Sequence, residues 1–121
     1  MKLVAMLVML AVVDTAAGAA DLTGTWQLHF DPDFGGRDDT KACRFTQEER
    51  KLTIRCETGP PIPGEVNGDK VTFQAKTGRQ NEFTAVFTAL LDDQAKTMKG
   101  TWHLDMGREV RDGKFDARRQ E

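Results

Sequence analysis

From Leu22 onward, apolar and polar residues alternate almost without a break. Successive side chains of a β-strand point to opposite faces, so alternation of this kind marks strands with one face buried. Leu22, Gly24, Trp26, Leu28 and Phe30 share one face of the first strand, and Thr23, Thr25, Gln27 and His29 the other. Residues 31–40, acidic with a proline and two glycines, read as a loop. Residues 43–56 read as a hairpin centred on Glu49-Arg50. That register sets Cys43 opposite Cys56, Phe45 opposite Ile54 and Gln47 opposite Leu52, all on one face. Residues 58–64 hold three of the four prolines and are expected not to form a central strand, because proline cannot donate to a ladder. Asn67-Gly68 predicts a tight turn. Val71, Phe73 and Ala75 follow as one stripe, then a turn over residues 77–81. The longest stripe is Phe83, Ala85, Phe87, Ala89 and Leu91, which leaves Val86 and Leu90 pointing outward. After a turn over residues 92–96 comes Met98, Gly100, Trp102 and Leu104; residues 106–112 read as the last loop. Phe115, Ala117 and Arg119 line the inner face of the last strand.

Seven or eight short strands joined by short turns predict an all-β sandwich or barrel, and the hairpin-length connections favour an up-and-down antiparallel barrel of about eight strands. The interior of a barrel of that size is just wide enough to be filled by side chains or to hold one small ligand. Trp26, Phe30, Phe45, Phe73, Phe83, Phe87, Trp102 and Phe115 argue for filling. Ala75, Ala85, Ala89 and Gly100 are the positions that leave room. The triplet Gly-Thr-Trp occurs at Gly24 and again at Gly100, where glycine permits a sharp bend and the indole two residues on fills the space.

The first 20 of the 121 residues break the pattern. Lys2 precedes an apolar run over residues 3–13, and Ala17-Gly18-Ala19 supplies small residues before a cleavage point. This is the layout of a secretory signal peptide. Eleven apolar residues fall short of the ~20 that a membrane span needs. The expected organisation is a signal peptide over residues 1–20 and one β-barrel domain over residues 21–121, in the periplasm or secreted. A disulfide between Cys43 and Cys56 agrees with an oxidising compartment. There is no Cys-x-x-Cys and no histidine cluster near them to suggest redox or metal chemistry.

Composition narrows the chemistry. The chain has no serine, no tyrosine and two histidines. No serine nucleophile exists, and few groups titrate near neutral pH. Seventeen Lys and Arg against nineteen Asp and Glu give a net charge of −2, without the basic excess of a nucleic-acid binder. Asp31-x-Asp33-x-Gly35-Gly36-x-x-Asp39 imitates the start of a calcium loop, but Ala42 stands where the closing glutamate belongs, and the segment reads as a solvated acidic loop. His29 and His103 lie on the polar faces of strands that a meander does not bring together, so no metal and no cofactor is expected. Asp38-Asp39, Glu48-Glu49 and Asp92-Asp93 fall in turns and read as solvated pairs rather than a catalytic dyad. The basic residues Arg108, Arg111, Lys114, Arg118 and Arg119 are interleaved with acids and read as a balanced surface plus one structural arginine.

Gly24-x-Trp26 in the first strand and Arg119 near the end of the last resemble the calycin pattern of lipocalins and avidins. The resemblance implies that Arg119 packs across Trp26 and closes one end of the barrel. Asp21-Leu22-Thr23-Gly24-Thr25-Trp26, Phe45…Gln47…Leu52, Val66…Gly68…Val71…Phe73, Met98…Trp102 and Gly113…Arg119 are similar to the recurring features of a group of small exported bacterial proteins without an assigned activity. These are turn and core motifs, and they imply a fold more than a function. The expected function is a non-enzymatic binding module that holds a small apolar or amphipathic ligand in the barrel mouth, lined by Trp26, Phe73, Phe87 and Trp102. The alternative is a solid-core protein-interaction or inhibitor domain acting through residues 31–40 and 58–64.

Overall fold

The computed structural model describes residues 21–32 and 38–120. The leader expected over residues 1–20 and the centre of the first loop lie outside the described residues. Eight strands follow in chain order: β1 (Gly24–Asp31), β2 (Asp39–Glu48), β3 (Lys51–Cys56), β4 (Ile62–Asn67), β5 (Lys70–Thr77), β6 (Phe83–Leu91), β7 (Thr97–Asp105) and β8 (Val110–Arg119). Each pairs antiparallel with its sequence neighbours, and β8 returns to β1 to close the barrel. Every strand thus has a partner on both sides over at least part of its length.

Alternation sets the two faces. Inward-phase side chains such as Trp26, Phe45, Ile54, Val71, Ala85, Met98, Trp102 and Phe115 are buried, while the outward phase is mostly threonine and charged residues. A barrel facing lipid has the opposite arrangement. The β2–β3 hairpin has the register that its sequence predicts, Cys43 opposite Cys56, Phe45 opposite Ile54 and Gln47 opposite Leu52. Cys43 and Cys56 form a disulfide with an S–S distance of 2.04 Å. Val86 and Leu90 are exposed on the outer face of β6.

Besides β2, which starts within the loop expected over residues 31–40, two segments differ from the sequence expectation. Residues 58–64 do contribute to a strand inside the closed barrel: β4 starts at Ile62 and includes Pro63 and Gly64. The Val66 amide donates to the carbonyl of Arg50, in the turn just before β3. By alternation the nitrogen of Pro63 therefore faces β5, and the β4–β5 ladder begins only at Gly64–Phe73. Proline is tolerated because β4 is an edge at that point. The loop expected over residues 106–112 is shorter, because β8 begins at Val110. The inward phase there is Arg111 and Gly113, and the Trp102 indole occupies the space over Gly113. No apolar side chain on the inward phase of β8 marks the strand there, and Val110 points outward.

A connected chain of aromatic contacts runs through the interior. Trp26 stacks on Phe45 at 5.4 Å, Phe45 meets Phe73 edge-on at 6.5 Å, and Phe73 stacks on Phe87 at 4.6 Å. Phe115 and Phe30 complete the group against Phe87. Gly100, expected to leave room, leaves none: a Cβ there would overlap the Thr88 carbonyl and Ala89 Cα of β6.

Candidate binding site at the barrel mouth

The two ends of the barrel are built differently. At the end holding the first residue of β1, Leu22 is fully buried and folds inward as a plug. Its amide donates to Gln47 Oε1 at 2.8 Å, and its carbonyl accepts from Trp26 Nε1 at 2.9 Å. Gln47, a polar residue on an inward phase, is satisfied by that bond and by donating Nε2 to the Glu49 carbonyl. Arg119 sits 5.0 Å above the Trp26 ring. It donates to the carbonyls of Thr23 at 3.0 Å and Asp21 at 2.6 Å. Gly24 has φ +143°, a backbone state that side chains disfavour, while the space beside it is adequate. The Asp21 carboxyl is held below the usual carboxylate range, chiefly by bonds from Thr23, with a smaller effect of the Arg119 charge. This end is closed.

At the other end a cavity of about 360 Å³ enters the barrel. Phe73 and Phe87, stacked on each other, are among its apolar lining with Leu28 and Phe30. Cys56, Ile62 and Ala75 form one side, and Lys41, Thr58, Lys76 and Thr77 bring polar groups. The position of the cavity follows from strand pairing. The β3–β4 ladder runs only as far as Ile54–Ile62, and β5 beyond Phe73 pairs with β6 alone. The wall is thus unpaired between β4 and β5 towards the mouth, and Ala75 is small where the stripe could have carried a larger side chain. On the opposite side Trp102 Nε1 donates to the Pro32 carbonyl at 2.9 Å, which ties the end of β1 to β7.

The structure therefore divides the four expected ligand-lining residues. Phe73 and Phe87 line the cavity, whereas Trp26 belongs to the closed end and Trp102 bonds to Pro32; neither lines the cavity. Leu28, Phe30, Ile62 and Lys41 also line the cavity, outside the four expected positions. Leu28 and Phe30 were legible as inward residues of β1, but only the tertiary fold shows which barrel end is open.

The remaining polar groups are on the outside. His29 lies between Asp38, 2.5 Å from Nε2, and Asp116, 3.3 Å from Nδ1. These two contacts, Asp116 first, raise its pKa above the ordinary histidine value. His103 contacts Asp112 on β8, so β8 separates the two histidines. Among the described residues, no three metal-binding side chains converge. Asp92 accepts from the amides of Thr97, the larger effect, and Lys96, which hold its carboxyl below the usual range in its turn. Among the described residues no helix is long and apolar enough to cross a membrane.

No family model matches the chain, and a search of curated proteins finds no match in sequence.

Proposed function

We propose that this protein is an exported, non-enzymatic binding module that holds a small apolar or amphipathic ligand in its barrel mouth. The cavity of about 360 Å³ on the Phe73–Phe87 stack carries this reading. Its size is at the lower end of the ~300–1,000 Å³ typical of small-molecule sites, and an apolar lining with a few polar groups is their usual character. The Cys43–Cys56 disulfide is compatible with an oxidising location, and together with the leader sequence it supports the periplasm or the medium as the compartment. Arg119 over Trp26, beside Gly24, supports kinship with calycin barrels.

The test is native mass spectrometry of protein from the exported fraction, compared with its denatured mass, alongside titration with 1-octanol followed by NMR. The expected result is excess mass released on denaturation, or octanol shifts confined to residues around Phe73 and Phe87. Ala75→Phe should fill the cavity and abolish both while the barrel stays folded. A bare mature mass together with no binding of octanol or of octanoate would overturn the reading. A protein-interaction role for residues 31–40 and 58–64 would then replace it.

A further inference from the structure

We infer that the ligand of this cavity is a small monoanionic amphiphile whose charged head is held by Lys41. The inference rests on the binding reading above and names the ligand class. Lys41 lies on β2 in the inward phase of Cys43 and Phe45, opposite Leu28 of β1. It lines the cavity, and no Asp or Glu does so among the described residues. The second lining lysine is different: Lys76 is on the outward phase of β5 and donates its ammonium to Thr84 Oγ1 at 2.8 Å. Lys41 has a looser neighbour. Asp39 Oδ2 is 3.9 Å from Nζ, beyond hydrogen-bond distance, and Asp39 Oδ1 is occupied by the Thr40 amide at 2.9 Å.

The Lys41 side chain is 54% exposed, so its ammonium stays hydrated and suffers little desolvation at the rim. A ligand with a buried apolar body and a wet anionic head matches that gradient. Thr58 and Thr77 add hydroxyl groups among the lining residues. At a liquid-like ~30 Å³ per small heavy group, the cavity holds an apolar body of about a dozen non-hydrogen atoms. A long-chain lipid would not fit inside.

The test compares octanoate with 1-octanol by calorimetry at neutral pH, on the whole mature protein with its disulfide formed. Lys41→Met should weaken octanoate about five- to tenfold, the range for a partly exposed charge pair with a hydrogen bond, and leave octanol no weaker. Raising the salt concentration should weaken octanoate alone. Asp39→Asn should tighten octanoate, because it frees Lys41 from a competing carboxylate. If octanol and octanoate both bind and Lys41→Met affects them equally, the head-group inference fails while the binding reading stands. If neither ligand binds the wild-type protein, the binding reading itself fails.

Discussion

Arg119 is a charged residue on the inward phase of β8, and the closed end explains how that is stable. Its guanidinium lies over the Trp26 ring and bonds to two backbone carbonyls of the segment that carries the Leu22 plug. Arg119→Ala removes the cation–π contact and leaves both carbonyls without that donor. After discounting for partial exposure, the expected loss is about 1–2 kcal/mol. In a domain of ~100 residues this lowers Tm by roughly 4–16 °C, measurable by circular dichroism. An unchanged Tm would mean that the plug holds without its clamp. His29 makes a pH-dependent prediction. Its raised pKa means that its ion pairs with Asp116 and Asp38 contribute fully below the ordinary histidine value of 6.5 and are lost as pH rises through the raised value. NMR titration should therefore place His29 above 6.5, and Asp116→Asn should bring it down. A wild-type value at or below 6.5 would contradict the geometry.

At the scale of elements, glycine and proline decide where strands approach and where they part. Gly100 lets β7 lie so close to β6 that a methyl group would overlap the Thr88 carbonyl. Gly100→Ala should thus cost about 1–3 kcal/mol, as overpacking does. A fall in the urea midpoint at unchanged slope would show it; an unaltered midpoint would mean that β6 yields to the extra methyl. Gly64 similarly admits β5, since a Cβ there would come within 2.8 Å of Phe73 Cβ. Pro63, one residue earlier, has no amide to offer β5, and there the two strands separate. The period-two pattern made most strands legible, because they carry apolar residues on alternate positions; it did not mark the start of β2, read as loop through Thr40, where Asp39 and Lys41 occupy the inward phase. It also missed the first half of β4, where proline and glycine interrupt the stripe, and the start of β8, where Arg111 and Gly113 occupy the inward phase.

The described residues form a barrel that is packed at one end and holds a cavity at the other. Burial of an aromatic column from Trp26 to Phe115 supplies the non-directional driving force, and the closed ladder satisfies the backbone. The cavity lies against the Phe73–Phe87 stack, where β4 and β5 no longer pair. Alternation in the sequence alone determined the strand class, the inner and outer faces, the β2–β3 register and the pairing of Cys43 with Cys56. Those are local consequences of side chains pointing to opposite sides of an extended backbone. The tertiary structure alone decided that Trp26 and Trp102 both stay out of the cavity while Phe73, Phe87 and Lys41 line it. An inward phase tells which way a side chain points; its distance along the barrel axis from plug or mouth depends on how all eight strands are staggered around the closed sheet.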